Sequence, residues 1–204
     1  MTATAQPVTR ERFEQGMTYE EYKAQMTRNR ERLEENERSL KLDQAELAPF
    51  KDLPRPLNVL VIAEDWCGDV IANLPILGRL AAESGKLNLR VFLRDQHPDL
   101  MDQYLNQGKY KSIPVFAFFD ENFNPLGDMK ERPQSVTTMM QQGTAEIHAQ
   151  HPEYGPVGTA ADQMPEETRV AYMQARNDLR TRLRPQINQA IIDEVRGIVQ
   201  GVAA

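Results

Sequence analysis

A chain of 204 residues, 40% hydrophobic and 26% charged, is long enough for one good core with appendages, and a single domain with extensions accounts for its length. A net charge of −6 and a pI near 5.2 exclude the basic face that counterion release on a nucleic acid requires. No apolar run reaches the length of a membrane span, and Met1 to Arg10 lacks the charged-then-apolar pattern of a signal peptide, so a cytoplasmic protein with neither nucleic-acid nor membrane partner is expected.

In chain order, Met1 to Gly16 shows little periodicity and reads as a flexible end. Thr18 followed by Glu21 has the spacing of a capping box and opens an N-terminal helical extension over 17–53. The extension carries Tyr19, Tyr22, Met26, Leu33, Leu40 and Leu47 until Pro49 and Pro54-Arg55-Pro56 stop it. Asn29, Asn36 and Asp43 occupy the second row that a coiled-coil seam needs. The stripe is therefore too narrow to dimerise, and one or two helices laid across the domain are expected. Acidic and basic residues interleave between Arg28 and Arg38, as on a solvated helix face.

The stretch from Val59 to Pro75, V-L-V-I-A-E-D-W-C-G-D-V-I-A-N-L-P, organises the chain. Val59 to Ala63 has the length and β-branched content of a strand buried on both faces. Glu64 and Asp65 bring it to the surface, Gly68 and Asp69 turn it, and Ile71, Leu74, Leu77 and Leu80 follow at helical spacing. The only cysteine, Cys67, thus falls where a central strand becomes a helix, within reach of the unpaired N–H groups of the first turn. Gly85 ends the helix, and Leu87 to Leu93 alternates as a second strand, parallel to the first in a βαβ unit. Arg94 and Asp95 leave the sheet at the edge that holds Cys67. His97-Pro98-Asp99 opens a helix with Leu100, Met101, Tyr104 and Leu105 that Gly108 terminates. Val115 to Phe119 is the next strand and Leu126 to Met129 a short last one, before a helix from Arg132-Pro133 with Val136, Met139 and Met140.

From Gly143 to Met164 a loop is expected, rich in proline, glycine and small residues after Glu153. Pro165-Glu166-Glu167 suits the first turn of a C-terminal helical extension over 165–204. Its stripe of Val170, Met173, Leu179, Leu183, Ile187, Ile191, Val195, Ile198 and Val202, with a break at Pro185, must be buried, either on this chain or in a homodimer. Arg176, Arg180, Arg182 and Arg184 are expected to pair with the acidic N-terminal helix rather than hold an anion.

The W-C-G-D-V stretch, with Pro75 in the following helix, resembles the active-site turn of the thioredoxin-like proteins, W-C-x-x-C followed five residues later by a proline. Val70 stands where that family has its second cysteine. Lys111-Ser112-Ile113-Pro114-Val115 resembles the family's Ile-Pro, whose proline is cis and lies beside the active cysteine. The resemblance spans Leu57 to about Leu126, and the W-C-G-D and N-L-P spelling resembles a bacterial single-cysteine branch with helical extensions at both ends. It implies an α/β thioredoxin-like fold, a central mixed β-sheet flanked by helices over 54–142, between the two extensions.

The resemblance implies thiol–disulfide exchange at Cys67, with Trp66, Gly68, Asp69, Ile113 and Pro114 contacting a protein or small thiol. Glu64 and Asp65 beside the sulfur, and Arg94 and Asp95 at the end of the neighbouring strand, are candidates for lining the crevice beyond the carboxyl ends of the strands, and a structural ion pair accounts for Arg94 and Asp95 equally well. One cysteine cannot make an intrachain disulfide, which fits a reducing compartment and leaves resolution to an external thiol. The helix start favours the thiolate by ~0.3–2 kcal/mol. A carboxylate ~5 Å away opposes it by up to ~3 kcal/mol at an effective dielectric of ~20, so Glu64, Asp65 and Asp69 should leave only mild activation. Asp69 is read first as the helix cap. The alternative to exchange is a binding or scaffold module that keeps the fold without turnover. No cofactor or metal is expected: haem or iron–sulfur binding by Cys67 across a dimer is a minor option, and His97, His148 and His151 are too scattered for a metal, with His148 and His151 read as surface polar sequence.

Overall fold

The computed structural model describes residues 8–201. It divides into two compact units, one running to Arg132 and resuming at Ile191, the other Pro133–Ala190.

The first unit is built on a four-stranded sheet in the order β2-β1-β3-β4, with β1 at Leu57–Ala63, β2 at Leu87–Leu93, β3 at Val115–Phe119 and β4 at Pro125–Lys130. β1 and β2 run parallel from Leu57 opposite Leu87 to Ala63 opposite Leu93, and β1 pairs antiparallel with β3. The sheet is therefore mixed. Every residue of β3 and all of β1 except Asn58 is buried, as continuous apolar runs require when both faces are covered. Helix α5, Gly68–Ser84, is the crossover between β1 and β2, and Gly85 ends it in the left-handed region at φ 65°. Pro75 lies inside α5 and has no N–H for the carbonyl of Ile71. The side-chain amide of Asn36 donates to that oxygen instead, at 2.8 Å.

The N-terminal segment departs from the expectation of a flexible end. Residues 1–7 of that expectation lie outside the described residues, but Arg10–Glu14 forms a short helix, α1, capped by Thr9, with Phe13 buried. Arg12 reaches Asp99 at 2.8 Å, and Met17 pairs with Val91 through two backbone hydrogen bonds of 2.9 and 2.7 Å. This covers the open edge of β2, a tertiary reason for order that leaves no periodic trace in sequence. The extension is three helices rather than one or two: α2 at Tyr19–Gln25, with both hydrogen bonds of the Thr18/Glu21 capping box, α3 at Arg30–Ser39, and α4 at Gln44–Lys51. Asp43 and Glu46 form a second capping box that restarts the chain at α4, so Pro49 sits within that helix and does not end it. The helix expected after His97 is shorter than its apolar residues suggest: α6 covers only Pro98–Met101, and Asn106 pairs with Tyr110 in a tight turn.

In the second unit, α7 runs unbroken over Gln134–Gln150, so the loop expected from Gly143 starts only at His151. Gly143 leaves room for the Leu179 side chain, and helical phase turns His148 inward. His148 is buried, not a surface residue: its ring packs on Tyr154 and Tyr172, and Nδ1 lies 2.8 Å from the carbonyl of Gly155. Two 3-10 turns, Pro152–Tyr154 and Ala161–Gln163, order the connection to α8, Glu166–Arg182. Tyr172 and Leu179 face inward on α8 while Val170 and Met173 are exposed, so the expected stripe is misphased in its first two turns. Arg182 pairs with Glu146, and the Arg176 guanidinium lies over the Tyr172 ring. The chain breaks at Leu183, and α9, Arg184–Gln200, starts afresh with Pro185 in its first turn, where a missing N–H costs nothing. From Ile191 on, α9 belongs to the first unit, where Ile191, Ile192, Val195 and Val199 are buried; Val202, the last residue of the stripe, lies outside the described residues.

Candidate functional site

The end of β1 and the start of α5 fix Cys67. The chain leaves the sheet at Ala63, a hydrogen bond of 3.2 Å from the Cys67 N–H to the Glu64 carbonyl closes the turn, and Cys67 becomes the N-cap residue of α5 in extended conformation. Its backbone carbonyl accepts the first helical bond, from Ile71, at 3.1 Å. The thiol is half-buried, and Sγ donates to the carbonyl oxygen of Ile113 at 3.4 Å. The Ile113–Pro114 peptide is cis. A strand-to-helix turn and the loop before β3, 46 residues apart, thus meet at one sulfur. Val70, one turn along the helix, is fully buried and turned into the core.

The acids expected around the sulfur are each engaged. Asp69 is not the cap: it is the second residue of α5, and Oδ2 lies 2.6 Å from Arg132 Nη1, with both side chains four-fifths buried. Asp65 turns away from the crevice. Its Oδ2 accepts from the backbone N–H of Thr27 at 2.8 Å and of Arg28 at 3.0 Å, and from the Thr27 hydroxyl at 3.1 Å. Glu64 is buried and accepts from the Asp95 N–H at 2.9 Å; burial raises its carboxyl above the usual range, against that hydrogen bond. On the outer side Trp66 is exposed, and the Arg94 guanidinium lies over its ring at 4.8 Å while pairing with Asp95 at 2.8 Å. Gly68 opens α5, where its N–H is one of the helix's unpaired donors.

Two residues at this site carry no motif. Arg132 bridges Asp69 and, at 3.0 Å, Glu131, whose N–H donates to the Pro114 carbonyl at 2.7 Å; this ties the helix start to the cis-proline loop. The Arg132-Pro133 dipeptide signals only a helix start. Tyr22 of α2 is fully buried and its hydroxyl meets no protein partner. Burial first, and then the charges of Asp65, Glu64 and Cys67, hold this phenol protonated well above its usual range. Tyr22 reads in sequence as one more apolar helix position. Among the described residues no group of histidine, cysteine and carboxylate side chains is arranged to hold a metal, and no helix is long and apolar enough to cross a membrane.

A sheet in this order, a helix opening on W-C-G-D, and a cis-proline loop against the sulfur form one pattern, and a family model described as thioredoxin matches residues 16–147. The chain belongs to the thioredoxin family. No curated protein matches it. Among solved structures it is similar to PA1234, a protein of unknown function from Pseudomonas aeruginosa, at 19% identity and a TM-score of 0.63, covering 96% of this chain and 99% of that one. It is equally similar to an HIV epitope-scaffold, at 18% identity and a TM-score of 0.63, over 95% and 99% of the two chains. A yeast mitochondrial 1-Cys peroxiredoxin aligns with 48% of this chain and 88% of its own, at 16% identity and a TM-score of 0.32, which is too loose to add to the comparison. These likenesses show the thioredoxin fold alone. At the start of α5 this thioredoxin-family chain carries one sulfur, Cys67, and three residues further on the apolar side chain of Val70 lies in the core.

Proposed function

We propose that the protein is a monothiol member of the single-cysteine W-C-G-D branch of the family, exchanging disulfides through Cys67 in the reducing cytoplasm of a bacterium. The observation that carries this reading is the half-exposed Cys67 sulfur at the start of α5, 3.4 Å from the Ile113 carbonyl beside the cis-proline. A helix start supplies N–H groups and a positive dipole end to a thiolate, and such partly exposed settings are where cysteine is nucleophilic. The Cys67 thiolate attacks one sulfur of a disulfide on a protein or a small thiol. An S–S bond forms to Cys67, the old S–S bond breaks, and the departing thiolate takes up a proton. With Val70 in place of a second cysteine, an external thiol gives up its proton and attacks the bound partner's sulfur. A new disulfide leaves and the Cys67 thiolate is regenerated, so electrons pass from the external thiol to the first disulfide. Exposed Trp66 with the partly buried Gly68 and Asp69 forms the face the partner meets, the buried Ile113 and Pro114 offer it backbone alone, and the protein acts without a cofactor, as a monomer or homodimer.

The burial of Val70 supports a second reading, a binding or scaffold module on the same surface without turnover. Cys67→Ser separates the two. Loss of disulfide exchange with partner binding intact is the result expected for the monothiol; unchanged function in cells would give the site to scaffolding. Intact-mass measurement of protein isolated under acid quench should show a mixed disulfide on Cys67, and a bare thiol that resists added disulfides would refute exchange.

A further inference from the structure

The α2–α3 connection forms a small concavity of donors. The N–H groups of Thr27 and Arg28 point the same way, and Asn29 follows in the left-handed region at φ 55°. Successive N–H groups arranged like this bind anions, and charge-assisted bonds to them are roughly twice as strong as neutral ones. The anion here belongs to the chain itself: Asp65 Oδ2 takes both N–H groups and the Thr27 hydroxyl. Asn29 completes the grip, its side-chain amide donating to the backbone carbonyl of Asp65 at 2.9 Å. Four hydrogen bonds from residues 27–29 therefore converge on the residue two before Cys67. Further along, α3 holds the same helix through the bond from Asn36 to the Ile71 carbonyl.

This is more than the turn needs to fold. An exposed carboxylate at a strand end is well solvated without partners, whereas this one fixes both its side chain and its carbonyl to a separate stretch of chain 36 to 38 residues upstream. We infer that Asp65 is a positioning residue for the thiol chemistry: seated in the donor nest of residues 27–29, it clamps the Trp66–Cys67 turn and fixes the direction in which the sulfur faces the Ile113 carbonyl. The N-terminal extension is then part of the active site rather than an appendage. The inference rests on Cys67 being the reacting group.

The test follows Asp65→Ala and the conservative Asp65→Asn by two rates as a function of pH, iodoacetamide alkylation of Cys67 and exchange with oxidised glutathione, alongside urea unfolding. Positioning predicts that Asp65→Ala lowers the high-pH plateau of exchange about tenfold, where the thiolate is fully formed, with partial rescue by Asp65→Asn. If Asp65 acts only by its charge, the pH midpoint moves and the plateau holds, which would overturn the inference. If its role is only structural, the urea midpoint falls while both profiles stay within twofold of the parent, which would overturn it equally. Should Asp65→Ala fail to fold, Asn29→Gly removes one bond of the clamp without changing charge or straining the left-handed residue, and at least a threefold lower exchange plateau is expected. If the parent protein exchanges with no disulfide, the monothiol reading fails by itself; the clamp is still read by alkylation, where at least a threefold change in plateau is expected and an unchanged plateau refutes it.

Discussion

Replacing Arg132 with glutamine tests how firmly the helix start is held to the cis-proline loop. Arg132 Nη1 lies 2.6 Å from Asp69 Oδ2 with 18% of each side chain exposed, and Nη2 lies 3.0 Å from Glu131 Oε1. Two charges about 4 Å apart at an effective dielectric of about 20 attract by ~4 kcal/mol before desolvation. Exposed pairs contribute ~0.2–1 kcal/mol, while breaking a fully buried pair costs ~3–5 kcal/mol. A pair one-fifth exposed falls between these limits, so Arg132→Gln should cost about 2 kcal/mol. Urea unfolding followed by fluorescence is the assay, because the only tryptophan, Trp66, lies in the same compact unit and next to the affected turn. Asp69→Asn and the double variant complete a thermodynamic cycle, and a coupling energy of about 1 kcal/mol or more is expected between the two sites. A coupling below ~0.3 kcal/mol would refute the reasoning and make the pair an ornament of the surface.

Further outcomes follow from single contacts. Asn36→Ala leaves the buried Ile71 carbonyl, already deprived of its helical donor by Pro75, without its side-chain donor; a loss of ~1–3 kcal/mol in urea unfolding is expected, and a loss below ~0.5 kcal/mol would show that another donor takes its place. Glu64→Gln should stabilise the protein at pH 7: burial raises the folded carboxyl above its ordinary value of 4.5, so the folded state holds its proton longer than the unfolded chain and loses stability as pH rises through that window. The advantage of the variant should vanish below about pH 4.5, where both states are protonated, and a pH-independent difference in urea midpoint would contradict it.

Much of the site was legible because it is local. W-C-G-D after a five-residue apolar run sets the thiol at a strand-to-helix corner whatever else the chain does, and Ile113-Pro114 marks the loop that meets it. The supporting shell was not legible. Asp65 looks like a crevice acid beside Cys67, but backbone N–H groups carry no side-chain signature, and those of Thr27 and Arg28 draw it away. Asp69 has the residue type of a cap, yet the cap position falls on Cys67 two residues earlier, and Arg132, 63 residues on, takes the carboxylate. His148 reads as a polar surface residue until α7 is known to continue past Gly143 and turn it onto two tyrosines.

By itself the sequence determined four local features: the buried β1, the βαβ crossover, the Thr18/Glu21 helix start and the place of the lone sulfur. Those features depend on neighbours a few residues away, whose geometry the covalent chain supplies. Only the tertiary structure decided which helices the extensions form, which segment covers the edge of β2, and where each charge near Cys67 is spent. Such contacts join residues tens of positions apart, and their hydrogen bonds are chosen by whichever donor the packed chain brings within about 3 Å.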